Sequence, residues 1–422
     1  MAKGKIHDKQ IQVYADWVGL DGPKKVGMLQ AEQLRGKEVF SFSYHKEWLE
    51  SDLAILLDPD LDLFIGPQYV RDDKPNFGLF MDSSPDRWGK VLMERREALI
   101  ARSEGRRPMP LMESDYLLGV FDLYRMGGLR FKLAEDGPFL HTDSTMAAPP
   151  FTSLRTLEEA SLQLEKDDAI EDPAFARWLH LLISPGSSLG GARPKASVMA
   201  PNGQLWIAKF PSRKDDHDIG GWEIVINDIA IKAGLQVAEG TANRFTGDYH
   251  TFLTKRFDRV GSGRLHFASA MTLLGYADGA NASAGVSYLH LGEFIMRHGA
   301  SPDLDMEELW RRIVFYILTS NSDDHLRNHG FLLTPKGWRL SPAFDINPVP
   351  LSTGLTLNIS EHSNALDVDL AREVAEQFRV DVKKRETIIK QVSEAVSHWH
   401  QLAAKFGISR GEMQKMEAAF GT

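Results

Sequence analysis

The most constraining feature of this sequence is the spacing of three oxygen-bearing side chains in its second half. Asp323 and Asn328 lie five residues apart in the stretch Asn321-Ser-Asp-Asp-His-Leu-Arg-Asn328, and Asp345 follows seventeen residues later. An apolar pattern of helical spacing at 309–318 leads into the first pair, and a predicted hairpin leads to Asp345. We therefore expect a helix end and a strand end to bring these side chains together.

This spacing is typical of phosphoryl-transfer sites. In protein kinases an Asp orients the substrate hydroxyl, and an Asn five residues later and a more distant Asp hold magnesium. Asp323 is therefore predicted to be the catalytic residue, with the adjacent Asp324 as the alternative, and Asn328 and Asp345 are predicted to be magnesium ligands. A single Asp in a loop is more simply a turn or cap residue, but three groups at this spacing favour function. His325, inside the loop, is expected to fix the backbone.

Length and composition limit the class of protein. With 422 residues the chain exceeds what one compact core supports, so two or three lobes are expected. The chain has no Cys, which excludes disulfide frameworks, thiolate zinc sites and cysteine nucleophiles. A net charge of −9 argues against binding nucleic acid by bulk electrostatics. No apolar stretch typical of a signal peptide or membrane span is found, so a cytoplasmic location is expected.

The patterns along the chain predict an α+β fold. Alternating runs between residues 10 and 45 favour a small antiparallel sheet, and from about residue 307 the patterns are mainly helical. The last helix is expected to start at Ser409 with Glu412 completing a capping box. The predicted parts are an N-terminal β-rich subdomain (1–135), a linker (136–152), a nucleotide-binding small lobe with a Gly/Ser loop (153–258) and a helical catalytic C-terminal lobe (259–422).

One lysine stands on a predicted apolar strand. Lys209 lies on the second strand of a predicted hairpin, where a charged group is costly unless it has a partner. Glu223, in the next predicted helix, is the expected partner, although an exposed Glu at a helix start is a nearly equal alternative. A strand, a Gly loop, a strand with Lys, a helix with Glu and a further strand follow in the order of a kinase small lobe.

A glycine-rich loop precedes this hairpin. The stretch Gly186-Ser-Ser-Leu-Gly-Gly191 has the glycine spacing of a P-loop, but Ala192 and Arg193 replace the required Lys and Ser or Thr. A Walker site is therefore excluded. A flexible backbone with hydroxyl groups and Lys195 could still lie over phosphates, and a surface turn is the alternative.

Five stretches resemble a known family, the HipA toxins, which are serine/threonine kinases of bacterial type II toxin-antitoxin modules. Ser188-Leu-Gly-Gly-Ala-Arg-Pro-Lys195 is similar to the family's S-x-x-G-A-Q-x-K loop. Asp323-Asp-His-Leu-Arg-Asn328 is similar to its D-x-H-x-K-N loop, and Leu340-Ser-Pro-Ala-Phe-Asp345 to its L-x-P-x-Y-D segment. Tyr44-His-Lys-Glu-Trp-Leu49 and Phe80-Met-Asp-Ser-Ser-Pro-Asp-Arg-Trp88 resemble its N-terminal signatures, so the likeness covers nearly the whole chain.

The resemblance implies a two-lobed, protein-kinase-like (PI3/4-kinase-like) fold that uses ATP and Mg²⁺. It implies that Asp323 is the catalytic Asp and that Asn328 and Asp345 bind the metal. The ATP-binding residues that it implies are Lys209, the loop residues Ser188, Gly190, Gly191, Ala192 and Lys195, the adenine-hinge residues Phe252, Thr254 and Lys255, and His325 in the catalytic loop.

The family also implies a means of inactivation. Its loop serine, here Ser188 with the adjacent Ser187 as second choice, is autophosphorylated, which ejects the loop. The chain departs from the family pattern at a few positions: Arg193 for Gln, Pro194 beside it, Arg327 for Lys and Phe344 for Tyr. The first two lie in the nucleotide loop, and the others keep the chemistry of the family residue.

Members of the family phosphorylate proteins, with aminoacyl-tRNA synthetases the known class of target, and a small helix-turn-helix antitoxin (HipB-like) neutralises them. Operator DNA is then contacted mainly through the antitoxin, and no membrane is involved. Two other functions stay open: a small-molecule phosphotransferase of similar fold, and an inactive co-repressor subunit. The second is disfavoured because Asp323, Asn328, Asp345 and Lys209 are all present.

Overall fold

The structure is a computed structural model that describes residues 8–142, 148–166, 168–182, 191 and 193–421. Within these residues helices and strands are mixed, as expected for an α+β protein. The strands are β1 (Lys9–Ala15), β2 (Lys24–Leu34), β3 (Lys37–Tyr44), β4 (Gln68–Tyr69), β5 (Leu129–Lys132), β6 (Lys195–Met199), β7 (Leu205–Lys209), β8 (Gly240–Asn243), β9 (Thr251–Lys255), β10 (Arg259–Val260), β11 (Gly263–Arg264), β12 (Phe267–Ser269), β13 (Gly330–Thr334) and β14 (Gly337–Leu340). The helices are α1 (Lys46–Leu49), α2 (Gly78–Met81), α3 (Arg87–Ser103), α4 (Glu113–Gly119), α5 (Leu154–Leu164), α6 (Phe175–Leu182), α7 (Ile219–Lys232), α8 (Ala270–Leu273), α9 (Tyr288–His298), α10 (Pro302–Leu318), α11 (Val368–Val374), α12 (Val382–Ser397), α13 (Trp399–Lys405) and α14 (Arg410–Met416).

The chain forms two compact units. The first contains Met1–Leu205 and Asp258–Ala268, and the second contains Trp206–Phe257 and Ser269–Thr422. The segment after β9 therefore returns to the first unit before the chain continues in the second. The boundaries predicted at 135, 152 and 258 stay predictions.

The first unit is built on an antiparallel sheet with strand order β4-β3-β2-β1-β5. Alternate residues of β1 are fully buried, among them Ile11 and Val13, while their neighbours are partly exposed. The same alternation buries Phe40 and Phe42 of β3. Side chains of a strand point to opposite faces, so one face of the sheet forms the core. The small antiparallel sheet predicted between residues 10 and 45 is confirmed.

Helix α3 starts slightly later than its sequence suggests. Asp86 is its N-cap and accepts a hydrogen bond from Gly89 N at 2.7 Å. The stretch Asp82-Ser-Ser-Pro-Asp86 predicts a helix start with Pro85 in the first turn. Pro85 instead precedes the cap, so this prediction is wrong. The side chain of Asp86, rather than the fixed φ of Pro85, defines this helix start.

A buried arginine ties several loops of the first unit together. The guanidinium of Arg125 is fully buried and donates to the carbonyls of Ser83 and Leu117 at 2.8 Å and of Val120 at 3.0 Å. It also lies 4.6 Å from the ring centre of Phe131 in β5. A buried charge costs free energy unless it is hydrogen-bonded, and here each carbonyl is in turn satisfied by the same side chain.

The second unit contains a strand group that positions a lysine. Strands β7, β9 and β8 pair antiparallel in that order, with Lys209 opposite Phe252. Helix α7 approaches the start of β9 so closely that a Cβ on Gly220 would lie 2.1 Å from the carbonyl oxygen of His250. Glycine is therefore required at this crossing.

The remainder of the second unit is mainly helical. Helix α10 is buried along most of its length and ends at Leu318, just before the loop that contains Asp323 and Asn328. The predicted hairpin is confirmed as β13 and β14, and the carboxylate of Asp305 in α10 anchors it by accepting bonds from Arg339 Nε at 2.9 Å and Leu340 N at 3.1 Å. No helix in the described ranges combines the length and apolar character that crossing a bilayer would need.

The capping box predicted for the last helix is only half formed. The Ser409 side chain accepts from Glu412 N at 3.2 Å, as predicted. The carboxylate of Glu412 does not return to the cap, because it accepts a bond from Asp218 N at 2.7 Å. Glu412 of the expected capping box therefore joins α14 to the N-terminus of α7, a helix that is distant in sequence.

We predict that Arg125→Leu lowers the free energy of unfolding by on the order of 3 kcal/mol, because several buried carbonyls lose their donor at once. Urea unfolding followed by circular dichroism measures this change. Arg107→Leu is the matched control, since Arg107 is exposed. Equal unfolding midpoints for the two variants would contradict the role assigned to Arg125.

Candidate active site

Lys209, at the end of β7, is the centre of the site. Its side chain is buried, and Nζ is bonded to the carboxylates of Glu223 in α7 and of Asp345. The pairing of Lys209 with Glu223, predicted from their order along the chain, is confirmed. The ring of Phe252 lies beside the ammonium, with its centre 5.7 Å from Nζ.

The two carboxylates decide the protonation state of Lys209. Burial by itself lowers the pKa of a lysine, but the nearby Asp345 and Glu223 more than offset this, and the pKa of Lys209 lies above its ordinary value. The group is therefore a cation at neutral pH. One cation between two carboxylates leaves a net charge of −1 on these three side chains. A divalent cation can compensate this charge when Lys209 also binds phosphate groups.

The loop after α10 is joined to the segment that follows Asp345. The side-chain Oδ1 of Asn321 accepts a bond from Asn347 N at 3.0 Å, and Val349 N donates to Ser320 O at 3.1 Å. Ser320 and Asp345 both adopt positive φ angles, 46° and 58°, which residues other than glycine rarely adopt. The sharp turns at these two positions, together with the cross-links, hold the two segments side by side.

The neighbouring acids Asp323 and Asp324 have different environments. Asp324 is fully buried, accepts a bond from the Tyr288 hydroxyl and accepts another from Thr356 N at 2.6 Å. Burial raises the pKa of Asp324 to about 6. The side chain of Asp323 is 71% exposed, with Oδ1 3.8 Å from His325 Nε2. Asp324 is thus an anchor of the loop, whereas Asp323 is accessible to a substrate.

Asn328 presents an oxygen that fits a metal ion. Its Nδ2 donates to Asp323 O at 2.7 Å, which fixes the orientation of the amide. Its Oδ1 is buried and accepts no hydrogen bond from any residue that the structure describes. Buried acceptor atoms without a hydrogen bond are uncommon in proteins, and a bound ion is one physical reason for such an atom. An amide oxygen together with the Asp345 carboxylate is the type of hard donor set that Mg²⁺ prefers.

The other predicted nucleotide-binding residues fall into three groups. Phe252, Thr254 and Lys255 lie on β9 in the second unit; the first two are buried, and Lys255 Nζ is 3.3 Å from Glu239. Gly191 and Lys195 belong to the first unit, where the buried Lys195 lies 3.1 Å from the N-cap carboxylate of Asp86. Ser187, Ser188, Gly190 and Ala192 lie outside the described residues.

The structure thus brings Lys209, Glu223 and Asp345 into direct contact and joins the loop of Asp323 and Asn328 to the segment after Asp345. Some residues that shape the site were not found from the sequence. Asn321 and Asn347 stand at the ends of the two polar motifs, so their positions in the sequence could have identified them as site residues. Tyr288 and Thr356, which anchor Asp324, lie more than thirty residues away from it and give no local signal.

A model of the HipA-like C-terminal domain matches residues 187–399, about half of the chain. The chain belongs to the HipA family. Two relatives carry the name putative kinase. The protein from Haemophilus influenzae is 25% identical over 202 residues, which cover 42% of this chain and 59% of the relative. The protein from Sinorhizobium fredii is 27% identical over 213 residues, which cover 42% of this chain and 51% of the relative. The chain therefore spans little more than half the length of either relative.

Among solved structures, HipA of Shewanella oneidensis, determined in a complex with HipB and its operator DNA, matches this HipA-family chain with a TM-score of 0.63. The two chains are 18% identical, and the match covers 97% of this chain and 94% of the other. The likeness confirms the α+β, protein-kinase-like fold expected from the sequence.

A buried histidine beside the loop gives a prediction for pH dependence. His329 is fully buried next to Tyr288 and Tyr316, and burial lowers its pKa to about 3. The unfolded chain binds a proton near pH 6.5, and the folded chain does so only near pH 3. The stabilisation is therefore complete above about pH 6.5 and is lost as the pH falls, by up to about 1.4 kcal/mol per pH unit.

We expect the stability advantage of the wild type over His329→Gln to shrink between pH 7.5 and pH 5, as measured by urea midpoints at both values. The exposed His362 provides the control variant His362→Gln, whose midpoint should follow the wild type at both pH values. A constant difference between wild type and His329→Gln would show that this histidine titrates normally in the folded protein.

Proposed function

We propose that this chain is an ATP- and Mg²⁺-dependent serine/threonine protein kinase that acts as the toxin of a type II toxin-antitoxin module. The observation that carries the proposal is the contact of one buried cation, Lys209, with Glu223 from a helix and Asp345 from a loop. A lysine and a helix glutamate paired in this way, with a metal-binding Asp nearby, are the parts that a kinase must assemble.

The proposed site residues have distinct roles. Lys209 binds ATP phosphates, Glu223 orients it, and Phe252, Thr254 and Lys255 form the strand along which adenine lies. Asn328 and Asp345 would hold Mg²⁺, which neutralises charge on the phosphates when it is bound. The resemblance to the family assigns six further residues to nucleotide binding: Ser188, Gly190, Gly191, Ala192 and Lys195 of the Gly/Ser loop, and the loop histidine His325.

Asp323 is the residue that receives or orients the hydroxyl of the substrate. Its exposed carboxylate supports this role, since a serine or threonine on a protein must reach it. Asp324, buried and bonded on both oxygens, is occupied in holding the loop. As the hydroxyl oxygen bonds to the γ-phosphorus of ATP, its proton passes to Asp323, the bond from that phosphorus to the β–γ bridging oxygen breaks, and ADP leaves.

The proposed partners follow from the family. HipA of Shewanella oneidensis was solved with HipB and operator DNA, which supports a small helix-turn-helix antitoxin as the partner here, with DNA bound mainly through it. The proposed substrate is a protein of the translation machinery, such as an aminoacyl-tRNA synthetase, in the cytoplasm. A small-molecule phosphotransferase is the second candidate. Labelling of a cell lysate separates the two, because only a protein kinase leaves acid-stable label on a protein band.

Asp323→Asn tests the catalytic assignment. We expect phosphoryl transfer from radioactive ATP to fall by about 10²- to 10⁴-fold, as on loss of a positioned base, with an unchanged melting temperature because the side chain is exposed. Asp303→Asn serves as the control, since Asp303 is an exposed Asp on α10. Labelling at the wild-type level in Asp323→Asn would overturn the assignment.

Autophosphorylation gives a second test. We predict phosphate on Ser188 in protein purified after active expression, because the corresponding loop serine is autophosphorylated in the HipA family that this chain resembles. Peptide mass spectrometry detects it, and Asp323→Asn, in which phosphoryl transfer should be strongly reduced, is the negative control. Phosphate on Ser187 alone, or none in an active preparation, would contradict this register.

A further inference from the structure

Helix α7 carries Glu223, and its N-terminus is fixed by an unusual set of bonds. Asp218, the N-cap, is buried and its Oδ1 accepts from Gly221 N at 2.9 Å and from His250 N at 2.8 Å. Its Oδ2 is bonded to the His250 ring. The backbone N–H of Asp218 donates to Glu412 of α14 at 2.7 Å. The cap thereby joins α7 to β9 and to a helix 194 residues away in sequence.

The next turn of α7 is held by aromatic rings. Trp222, immediately before Glu223, is 1% exposed, and its ring centre lies 6.0 Å from those of Trp399 and Phe420. Trp399 and Phe420 are stacked on each other at 4.4 Å with planes 10° apart. Large buried rings that interlock resist rotation of the helix, because a turn of α7 would open a void.

The same segment also touches the helix that leads to the catalytic loop. Gly421 N donates to Leu318 O at 3.1 Å, and Leu318 is the last residue of α10. Ser320 begins the loop two residues later. Residues 399–421 are therefore bonded or packed both to the helix of Glu223 and to the helix that ends at the catalytic loop.

We infer that residues 399–421 form a positioning element for the site, in which Phe420 and Glu412 hold α7 so that Glu223 engages Lys209. The inference rests on the proposed function, because it assigns regulation of that same site. Neither Phe420 nor Glu412 contacts Lys209 in the structure described here; each acts through α7. When the element is loosened, Glu223 withdraws and Lys209 is left with Asp345 alone.

The test measures the chemical reactivity of the Lys209 amine and, separately, the kinase activity. The variants are Phe420→Ala with the conservative Phe420→Leu, Glu412→Ala with Glu412→Gln, Glu223→Gln, and the double variant of Phe420→Ala and Glu223→Gln. Acetylation by an N-hydroxysuccinimide ester, read by mass spectrometry, reports the reactivity of Lys209 against the exposed Lys37. Kinetics with ATP give kcat and KM separately.

We expect Phe420→Ala and Glu412→Ala to raise acetylation of Lys209 by about tenfold, the effect of losing the hydrogen bond from its ammonium to the carboxylate of Glu223. Phe420→Leu and Glu412→Gln should restore most of the protection, since a buried apolar group and an acceptor oxygen are kept. The double variant should be no more reactive than Glu223→Gln, because both changes remove the same contact. In kinetics, kcat/KM for ATP should fall by about 10- to 100-fold.

Controls separate positioning from general damage. Glu394→Ala changes an exposed Glu on α12 and Phe64→Ala an exposed ring in the first unit; both should behave as the wild type. If Phe420→Ala fails to fold, Glu412→Ala decides the question. Wild-type reactivity of Lys209 in folded Glu412→Ala, or multiplied effects in the double variant, would overturn the inference. A wild type that binds no ATP and transfers no phosphate would overturn the proposed function, and acetylation would still decide the positioning role.

Discussion

Lys209 brings a full positive charge into a largely buried position, and the free-energy cost of doing so organises the second unit. A lone ammonium there would lose its proton or leave the interior. It keeps both its charge and its position because Glu223 and Asp345 each give it a carboxylate. One of these comes from a helix and the other from a loop at the end of a hairpin, so strand, helix and loop must all be in place before the charge is stable. Breaking such a pair by removing one partner is far more costly than never having formed it.

The loop of Asp323 shows how the same fold gives two adjacent acids different roles. Asp324 is bonded to Tyr288 and Thr356 and anchors the backbone, which leaves Asp323 facing solvent. The amide of Asn328 is oriented by the backbone of Asp323, so one short loop carries both the oxygen proposed to bind metal and the acid proposed to be catalytic. The Asn328 amide is thus oriented before any ligand binds, which is the preorganisation that the proposed phosphoryl transfer would use.

Local patterns in the sequence were sufficient for the elements and for part of the site. The sheet at 10–45, the hairpin before Asp345 and the pair of Lys209 with Glu223 follow from alternation, turn residues and chain order. Helix ends were less predictable, because Pro85 and Asp86 both mark a start and only the side chain of Asp86 finds a donor. The contacts that fix α7 could not be predicted from the sequence. Glu412 matches half of a local capping box, yet its carboxylate accepts a hydrogen bond from Asp218 N. Hydrophobic periodicity indicates which face of a helix is buried, but it does not indicate which element packs against that face.

The backbone of Asp345 has a consequence for how this site can change. A residue other than glycine at a φ of 58° costs of order 1 kcal/mol, and glycine would remove that cost. Glycine would also remove the carboxylate that holds Lys209. At this position an unstrained backbone requires glycine, whereas a balanced charge at Lys209 requires a carboxylate. A chain with Asp here has a less stable loop and keeps the side chain that Lys209 needs.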